Sequence, residues 1–260
     1  MRGTDHPDSL VELRGISKHF GQGDTRVDAL SDASLAVLAG EVVGLVGPSG
    51  SGKTTLLNVV GCVTEPSSGW MSLEGEVVYD QHWLRRDLRR LRLEKIGFIF
   101  QTHNLLPFLT AIENVMEVLE LAGASSAEAR TRATDLLDYL EVSHRKNAMS
   151  SQVSGGEAQR IAIARALANR PRIILADEPT APLDSVRAAI VMDLLRRIAV
   201  EQAAAIVVVT HDESIFNRFD RIFHLRDGRI VTVEEVGRAR PVGAMDAPRE
   251  SAVLNTIGGA

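Results

Sequence analysis

The segment that decides the fold is Gly47-Pro48-Ser49-Gly50-Ser51-Gly52-Lys53-Thr54. It matches the pattern G-x-x-x-x-G-K-[ST], in which glycines let backbone N–H groups wrap around phosphate oxygens. The apolar run Val42–Val46 before it predicts a short buried strand, and Lys53–Cys62 after it predicts a helix. This strand–loop–helix context distinguishes a phosphate loop from a chance glycine- and serine-rich turn. We therefore expect Lys53 to contact the β- and γ-phosphates of a nucleotide and Thr54 to ligate Mg²⁺.

Strand and helix patterns alternate along the rest of the chain. Strand patterns occur at Leu10–Ile16, Ser34–Val37, Met71–Tyr79, Gly97–Phe100, Ile173–Ala176 and Ile206–Thr210. Helical spacing occurs at Trp83–Lys95, Ala111–Ala122, Ser126–Leu140, Gly156–Asn169 and Ser185–Val200. A closing hairpin is predicted from Arg221–Leu225 and Arg229–Val233 around Asp227-Gly228. This order predicts an α/β fold with a mostly parallel sheet, an antiparallel β subdomain and an inserted α-helical subdomain over about residues 102–165.

Composition narrows the possible classes of function. The net charge of -5 argues against an electrostatic nucleic-acid binder, and no nucleic acid is expected as a partner. The only cysteine, Cys62, excludes an internal disulfide and is interpreted as a packing residue rather than a reactive thiol. We recognise no signal peptide, and no run approaches the roughly 18 apolar residues that cross a bilayer. Any membrane role is therefore expected to pass through a partner.

Domain boundaries follow from where the periodic patterns begin and end. A single domain over residues 10–235 accounts for the predicted elements. Residues 1–9 are expected to be a flexible N-terminus, and residues 236–260 gather Gly, Ala, Pro and Arg without periodicity. We interpret the latter as a disordered tail, with partner binding as the alternative. The arginine-rich stretch Arg85–Arg92 is interpreted as a solvated helix face, with an acidic partner loop or lipid headgroups as the alternative.

Several polar residues follow predicted strands. Asp177 and Glu178 come directly after a buried strand, where P-loop proteins place the aspartate that holds the Mg²⁺ shell. Glu178 would then polarise the attacking water; the alternative is that it is a solvated acid at a strand end. His211 follows the next strand and could hydrogen-bond the γ-phosphate. An isolated histidine would be interpreted as a surface or packing residue, but its position after the other motifs favours the phosphate contact. Gln101 follows another strand and could reach the Mg²⁺ or the water.

A second anion-binding pattern lies at Ser154-Gly155-Gly156-Glu157. Two adjacent glycines at a predicted helix start expose backbone N–H groups to an anion. Because residues 47–55 already form a complete phosphate loop, this second site has no nucleotide of its own in the chain. We therefore expect it to close over a nucleotide held by another subunit, which implies that two copies of the chain work together.

These elements, in this order, resemble the ATP-binding cassette (ABC) family over about residues 10–235. The resemblance rests on Gly47–Thr54, Gln101, Ser154–Glu157, Ile173–Glu178, Leu183-Asp184 and His211. It implies a P-loop NTPase (RecA-like) core that binds ATP and Mg²⁺. It also implies the following nucleotide-binding residues: Phe20, Gly47, Ser49, Gly50, Ser51, Gly52, Lys53, Thr54, Thr55, Ser154, Gly155, Gly156, Glu157 and Asp184.

Within these residues, the resemblance implies distinct roles. Thr54, Gln101 and Asp177 would serve Mg²⁺, Glu178 would be the general base, and His211 would be the switch. Lys53 and Gln101 would assist catalysis. Phe20 would stack on adenine, the Ser154–Glu157 signature would contact the γ-phosphate on the opposite subunit, and Asp184 would lie at the dimer seam.

The finer resemblance is to exporter-type ATPases of the macrolide-exporter, lipoprotein-releasing and glycolipid-exporter (DevA-type) group. It rests on Gly47–Asn58, Ile99–Pro107, Phe108–Val115 and Ser154–Arg160. It implies an ATPase subunit that works as a nucleotide-sandwich dimer and energises a transmembrane permease from the cytoplasmic face of the membrane. Two alternatives stay open: a mechanical regulator of cell-envelope remodelling without transported cargo, and a soluble regulator of DNA or the ribosome.

Four positions depart from the common family pattern. Val153 replaces a leucine before the signature, and Glu157 replaces the commonest glutamine. Phe20 lacks a tyrosine hydroxyl but keeps a face for stacking. Pro182, before Leu183-Asp184, fixes its own φ and lacks an N–H, so it is expected to stiffen the contact between the two sites.

Overall fold

The computed structural model describes residues 9–181 and 183–236. Three predictions fall outside these residues: the flexible N-terminus over residues 1–8, the disordered tail over residues 237–260, and the stiffening by Pro182. Two end residues contradict the sequence-based boundaries. Ser9, which the sequence assigned to the flexible end, is the first residue of a strand. Val236, which it assigned to the tail, donates its N–H to the carbonyl oxygen of Asp220 at 2.9 Å and packs against the core.

The chain forms ten strands and six α-helices within the described residues. The strands are β1 (Ser9–Phe20), β2 (Val27–Leu38), β3 (Val42–Val46), β4 (Ser68–Leu73), β5 (Glu76–Asp80), β6 (Ile96–Ile99), β7 (Ile173–Asp177), β8 (Ala205–Val209), β9 (Arg221–Arg226) and β10 (Arg229–Glu235). The helices are α1 (Lys53–Val60), α2 (Leu88–Lys95), α3 (Ala111–Leu121), α4 (Ser126–Tyr139), α5 (Gly155–Ala166) and α6 (Ser185–Gln202). The α/β class and the P-loop NTPase core predicted from the sequence are confirmed.

The larger sheet has six strands in the order β10-β9-β3-β8-β7-β6, and all neighbours are parallel except the β9–β10 hairpin. Every residue of β3 and of β8 is buried, as expected for parallel strands that are covered on both faces. In register, Val209 pairs with both Leu45 and Asp177, while Ala176 pairs with Ile99. The carboxyl ends of four strands therefore meet along one edge of the sheet.

The smaller sheet is antiparallel, in the order β2-β1-β4-β5, and forms the predicted β subdomain. The expectation of one strand over Met71–Tyr79 was wrong, because the chain turns at Glu74-Gly75 between β4 and β5. Both turn residues have positive φ, 51° and 74°, as the tight turns that join two strands require. Side chains of this sheet, of α1 and of one face of the larger sheet share one apolar core.

The second core lies on the other face of the larger sheet and includes α3, α4, α5 and α6. Three of these helices begin with the same capping box, at Thr110/Glu113, Ser125/Glu128 and Ser154/Glu157. The helix expected over Trp83–Lys95 was wrong in its first half: α2 begins at Leu88, where Asp87 caps the N–H of Arg90 at 2.9 Å. Among the described residues, no helix combines the length and apolarity needed to cross a bilayer.

Candidate nucleotide site

The phosphate loop joins β3 to α1 at the edge where the parallel strands end. Gly47 has φ 151°, and a Cβ added to it would lie 2.1 Å from the carbonyl oxygen of Leu225. Gly52 has φ 103°, and its added Cβ would lie 2.4 Å from the carbonyl oxygen of Ala29. Both positions therefore require glycine on conformational and steric grounds. By contrast, an added Cβ at Gly50 meets nothing within 4 Å, so this part of the loop faces open space.

Three groups in the loop are oriented toward an anion site. The Nζ atom of Lys53 donates to the carbonyl oxygens of Gly47 and Pro48 at 2.8 and 2.9 Å, so the ammonium group lies across the loop. α1 begins without a side-chain cap, which leaves its first N–H groups available to a ligand. The Oγ atom of Ser51 is buried and has no partner among the described residues. The Lys53 ammonium and the first N–H groups of α1 suit a bound phosphate, which accepts hydrogen bonds from such donors.

The turn of the β9–β10 hairpin is hydrogen-bonded to this loop. The N–H of Gly228 donates to the carbonyl oxygen of Ser51 at 3.0 Å, and the N–H of Ser31 donates to the carbonyl oxygen of Gly228 at 2.9 Å. The loop is therefore fixed to both sheets. Of the remaining loop residues, Ser49, Gly50 and Thr54 are exposed, and Thr55 is partly buried on α1.

Two carboxylates lie where β7 ends. Burial raises the pKa of Asp177, and the negative charge of Glu178 beside it raises it further. The positive charge of Lys53 acts in the opposite direction but does not cancel the increase. Glu178 has φ 50°, and its N–H donates to the carbonyl oxygen of Val209 at 2.9 Å. This bond ties the turn after β7 to the neighbouring strand β8. The positive φ of a non-glycine residue is a local strain of the kind that clusters at functional sites.

Glu178 is paired with His211, which follows β8. The Oε1 atom of Glu178 lies 2.7 Å from Nδ1 of His211, a distance at which an imidazole N–H donates to a carboxylate. The glutamate side chain is 15% exposed and the histidine side chain is 73% exposed. The sequence predicted both residues at strand ends but not this hydrogen bond between them.

Three further predicted residues are exposed at the surface. Gln101 is exposed two residues beyond the end of β6. Phe20 ends β1 with its ring exposed, and the Nζ atom of Lys18 lies 4.9 Å from the ring centre. Asp184 caps α6 by accepting from the N–H of Arg187 at 3.0 Å. The capping role of Asp184 was not predicted from the sequence.

The signature segment begins α5 in the helical subdomain. Added Cβ atoms at Gly155 and Gly156 meet nothing within 4 Å, so this helix start faces open space. Ser154 accepts from the N–H of Glu157, and Oε2 of Glu157 accepts from the N–H of Ser154 at 2.7 Å. Within the described part of the chain, no hydrogen bond or ion pair joins Ser154–Glu157 to residues 47–55. Among the described residues, these two anion-binding segments are therefore not joined by hydrogen bonds or ion pairs within one copy.

The other oxygen of Glu157 contacts two residues that sequence reasoning missed. Oε1 accepts from Nε of Arg145 at 2.8 Å and lies 3.0 Å from Nε2 of His144. Bonds from Arg145, from Ser154 and from His144 lower the pKa of Glu157 to about 2. No local pattern marks Arg145, because it lies in the short turn between α4 and α5.

A second missed arginine lies later in α5. Arg165 donates to the carbonyl oxygens of Asn104 and His103 at 2.6 and 2.7 Å. No carboxylate in the described ranges pairs with it, and burial lowers its pKa. The helix that begins with Ser154 is therefore tied to the segment that follows Gln101.

The donor set available to a metal ion is sparse. Residues 9–181 and 183–236 contain no cluster of three or more His, Cys, Asp or Glu side chains that could hold a metal ion. Mg²⁺ in nucleotide sites is bound by one or two protein oxygens together with phosphates and waters. Thr54, in the first turn of α1, and Asp177, at the end of β7, offer such oxygens. The residues present therefore suit a Mg²⁺ ion that arrives with a nucleotide.

Comparisons with known proteins agree with this geometry. A family model described as ABC transporter matches residues 30–181, more than half of the chain. A lipoprotein-releasing system ATP-binding protein LolD 2 from Caulobacter vibrioides is 43% identical over 224 residues, covering 86% of this chain and 97% of that protein. The macrolide export ATP-binding/permease protein MacB from Brucella abortus is 45% identical over 86% of this chain, which spans only 34% of that relative.

Among solved structures, a dimeric ATP-binding cassette in a post-hydrolysis state with ADP and Pi has a TM-score of 0.78 and 39% identity. That match covers 87% of this chain and 99% of that chain. The phosphate loop, the acidic strand end and the signature lie in the region that these relatives share. The chain therefore belongs to the ABC transporter family and is an ATP-binding cassette that hydrolyses ATP.

Proposed function

We propose that this chain is the ATPase subunit of an exporter-type membrane complex and that two copies enclose ATP between them. The observation that carries the proposal is the presence of two anion sites in one chain: the loop at residues 47–55 and the open helix start at Ser154. Within the described ranges, no hydrogen bond or ion pair joins these two segments in one copy. A head-to-tail pair lets the signature of one copy meet the γ-phosphate held by Lys53 of the other. The dimeric solved relative supports this arrangement.

Each residue around the phosphate loop then has a proposed task. Loop N–H groups and Lys53 bind the phosphates, and the face of Phe20 stacks on adenine after Lys18 moves aside. Thr54, Asp177 and Gln101 would hold Mg²⁺. When bound, Mg²⁺ neutralises charge on the β- and γ-phosphates. Burial and the charge of Glu178 raise the pKa of Asp177, which means that they disfavour its ionised form. A cation bound beside Asp177 would stabilise the carboxylate against both effects.

Glu178 orients and deprotonates the water that attacks the γ-phosphorus. His211 holds Oε1 of this carboxylate at 2.7 Å, which leaves Oε2 for the water. In phosphoryl transfer, positioning and charge stabilisation supply most of the rate enhancement. We therefore assign His211 to positioning Glu178 as well as to contact with the γ-phosphate.

Glu157 receives a different task from the one implied by resemblance. Both of its oxygens are already engaged, one with the N–H of Ser154 and the other with Arg145 and His144. A carboxylate also repels phosphate. We therefore assign Glu157 to holding the start of α5, and Ser154, Gly155 and Gly156 to phosphate contact.

A groove between α2, β6, α3 and α5 is the proposed docking site for a permease segment. Its floor contains the stacked rings of Phe98 and Phe100, whose centres are 5.7 Å apart. Arg89 and Arg165 line the same groove. An apolar floor beside guanidinium groups fits an amphipathic segment that carries a carboxylate. Docking there would place the chain peripherally on the cytoplasmic face of the membrane.

The arginine-rich stretch is only partly available to such a partner. Arg85 and Lys95 pair with Glu76, Arg90 pairs with Glu94, and Arg92 donates to the carbonyl oxygen of Cys62. In the described part of the chain, Arg86 and Arg89 have no carboxylate partner. The prediction of a solvated face therefore suits most of the stretch, and Arg89 is the residue we assign to docking.

The proposed function is tested with Glu178→Gln. This variant should bind ATP as the parent does, form a dimer in MgATP and hydrolyse ATP at least about 100-fold more slowly. Sedimentation velocity with and without MgATP measures the dimer, and phosphate release measures turnover. His82→Ala, at an exposed histidine that follows β5 of the smaller sheet, is the control. Normal steady-state turnover by Glu178→Gln, or a monomer in saturating MgATP, would contradict the proposal.

A further inference from the structure

We propose that Arg145 is a positioning residue for ATP-dependent dimerisation, because it neutralises Glu157 at the signature and so lets that helix start accept the partner copy's γ-phosphate. The inference rests on the proposed nucleotide-sandwich dimer. It assigns a role to a residue outside the phosphate loop, the strand-end acids and the signature itself. Arg145 ends the short 3-10 turn Ser143–Arg145 between α4 and α5.

Both carboxylate oxygens of Glu157 accept hydrogen bonds at the start of α5. Its Oε2 atom accepts from the N–H of Ser154 at 2.7 Å, so the carboxylate is fixed at the N-terminus of α5. Its Oε1 atom accepts from Nε of Arg145 at 2.8 Å. One side chain therefore connects Arg145 to the backbone of the residue that begins the signature.

The negative charge of Glu157 affects how well the start of α5 can bind a phosphate. The first turn of an α-helix carries about half a positive elementary charge, which attracts an anion. A full negative charge on Glu157, three residues into α5, opposes that attraction and repels a phosphate. The nearby guanidinium group of Arg145 offsets this charge. Without Arg145, the partner's γ-phosphate would approach a helix start whose net field is unfavourable.

The first turn of α5 has little side-chain packing to hold it in place. Gly155 and Gly156 carry no side chains, and Cβ atoms added there meet nothing within 4 Å. The capping box of Ser154 and Glu157 therefore carries the restraint on this turn. A glutamate held by Arg145 keeps one rotamer, whereas a free glutamate would exchange with water. Arg145 thus preorganises the N–H groups before the partner copy arrives.

His144 is a second neighbour of the same oxygen, at 3.0 Å, but its side chain is 62% exposed. Arg145 is permanently charged, and its bond is the largest cause of the lowered pKa of Glu157. We therefore assign the neutralising role to Arg145 and expect His144→Ala to have the smaller effect.

The test is a double-mutant cycle in the Glu178→Gln parent, which accumulates the dimer. Arg145→Ala should weaken MgATP-dependent dimerisation about 10-fold, measured by sedimentation velocity over a concentration series. Binding of a fluorescent ATP analogue by the monomer should be unchanged, because the phosphate loop is untouched. Arg145→Lys should recover most of the loss, since it restores the charge. Arg90→Ala, which removes an exposed arginine–glutamate pair on α2, is the matched control.

The decisive arm adds Glu157→Gln. Glutamine keeps an oxygen for the N–H of Ser154 but carries no charge, so Arg145→Ala should then change dimerisation less than about 2-fold. A loss that persists in the Glu157→Gln background would overturn the proposal, because Arg145 would then act structurally. Unchanged dimerisation by Arg145→Ala alone would overturn it too. Failure of the Glu178→Gln parent to dimerise in MgATP would instead contradict the proposed function.

Discussion

The Nδ1 atom of His211 lies 2.7 Å from Oε1 of Glu178, although the two residues are 33 positions apart in the chain. They meet because β7 and β8 are parallel neighbours, with Asp177 in register with Val209. The same register places the N–H of Glu178 on the carbonyl oxygen of Val209. The orientation of the proposed general base therefore depends on a backbone bond and a side-chain bond to one adjacent strand.

Removal of the imidazole should slow hydrolysis more than it weakens ATP binding. We expect His211→Ala to lower kcat about 100-fold, because Glu178 loses the partner that fixes its carboxylate. The KM for ATP should change less than about 3-fold, since the phosphate loop supplies most of the binding contacts. Steady-state phosphate release measures both quantities, and His82→Ala is the control. Equal kcat values for His211→Ala and the parent would exclude a positioning role.

Asp177 should reduce the stability of the nucleotide-free chain. Its pKa is raised in the folded state, first by burial and then by Glu178, so folding disfavours its ionised form. Stability that depends on a protonated Asp177 is therefore present at low pH and is lost as pH rises above the ordinary pKa of 3.8. At pH 7, Asp177→Asn should raise the urea midpoint and abolish Mg²⁺-dependent hydrolysis. A lower midpoint would show that the charge of Lys53 outweighs burial.

The phosphate loop allows steric and conformational strain to be separated. The Cβ added by Gly52→Ala would lie 2.4 Å from the carbonyl oxygen of Ala29, whereas the Cβ added by Gly50→Ala would meet nothing within 4 Å. Both glycines have positive φ, so both variants incur a strain of about 1 kcal/mol. We expect Gly52→Ala to lose at least about 2 kcal/mol more in the free energy of unfolding than Gly50→Ala. Urea denaturation without nucleotide measures the difference, and equal losses would contradict the steric argument.

Most of the fold could be predicted because buried parallel strands have short, unambiguous patterns. Val42–Val46 was predicted at its observed bounds, since apolar residues on both faces and a following glycine define it. The Glu74-Gly75 turn was missed because polar residues at every second position, Ser72, Glu74 and Glu76, continue the alternating strand pattern through it. Among the proposed site residues, those in motifs could be predicted. Arg145 and Arg165 could not, because their partners lie 12 and 61 positions away and their bonds depend on how loops pack.

Cys62 should be inert in the folded protein. It is 2% exposed, and burial raises its pKa to about 12, although Arg92 acts in the opposite direction. Because the thiolate is the reactive form, alkylation should require opening of the core. N-ethylmaleimide should modify the native chain at least about 1,000-fold more slowly than the urea-unfolded chain, as measured by mass spectrometry. Rapid modification of the native chain would contradict the packing role predicted from the sequence.

Arg165 should contribute more to stability than a comparable arginine. It donates to the carbonyl oxygens of Asn104 and His103 at 2.6 and 2.7 Å, whereas Arg132 donates to those of Ala168 and Leu167 at 3.4 Å. Hydrogen bonds from charged donors contribute about 1.5–3 kcal/mol each, and short bonds contribute more than long ones. We expect Arg165→Met to lower the free energy of unfolding by about 3 kcal/mol and Arg132→Met by about 1 kcal/mol.

The same variant should also affect hydrolysis, because Arg165 restrains the segment that follows Gln101. If this restraint orders Gln101 for the Mg²⁺ site, Arg165→Met should raise the Mg²⁺ concentration needed for half-maximal hydrolysis, while Arg132→Met should leave it unchanged. Phosphate release across a Mg²⁺ titration, at a temperature where both variants are folded, measures the shift. A loss of stability without any change in Mg²⁺ dependence would show that Arg165 acts only in packing. It would also show that the bonds from α5 to the segment after Gln101 do not affect Mg²⁺ binding.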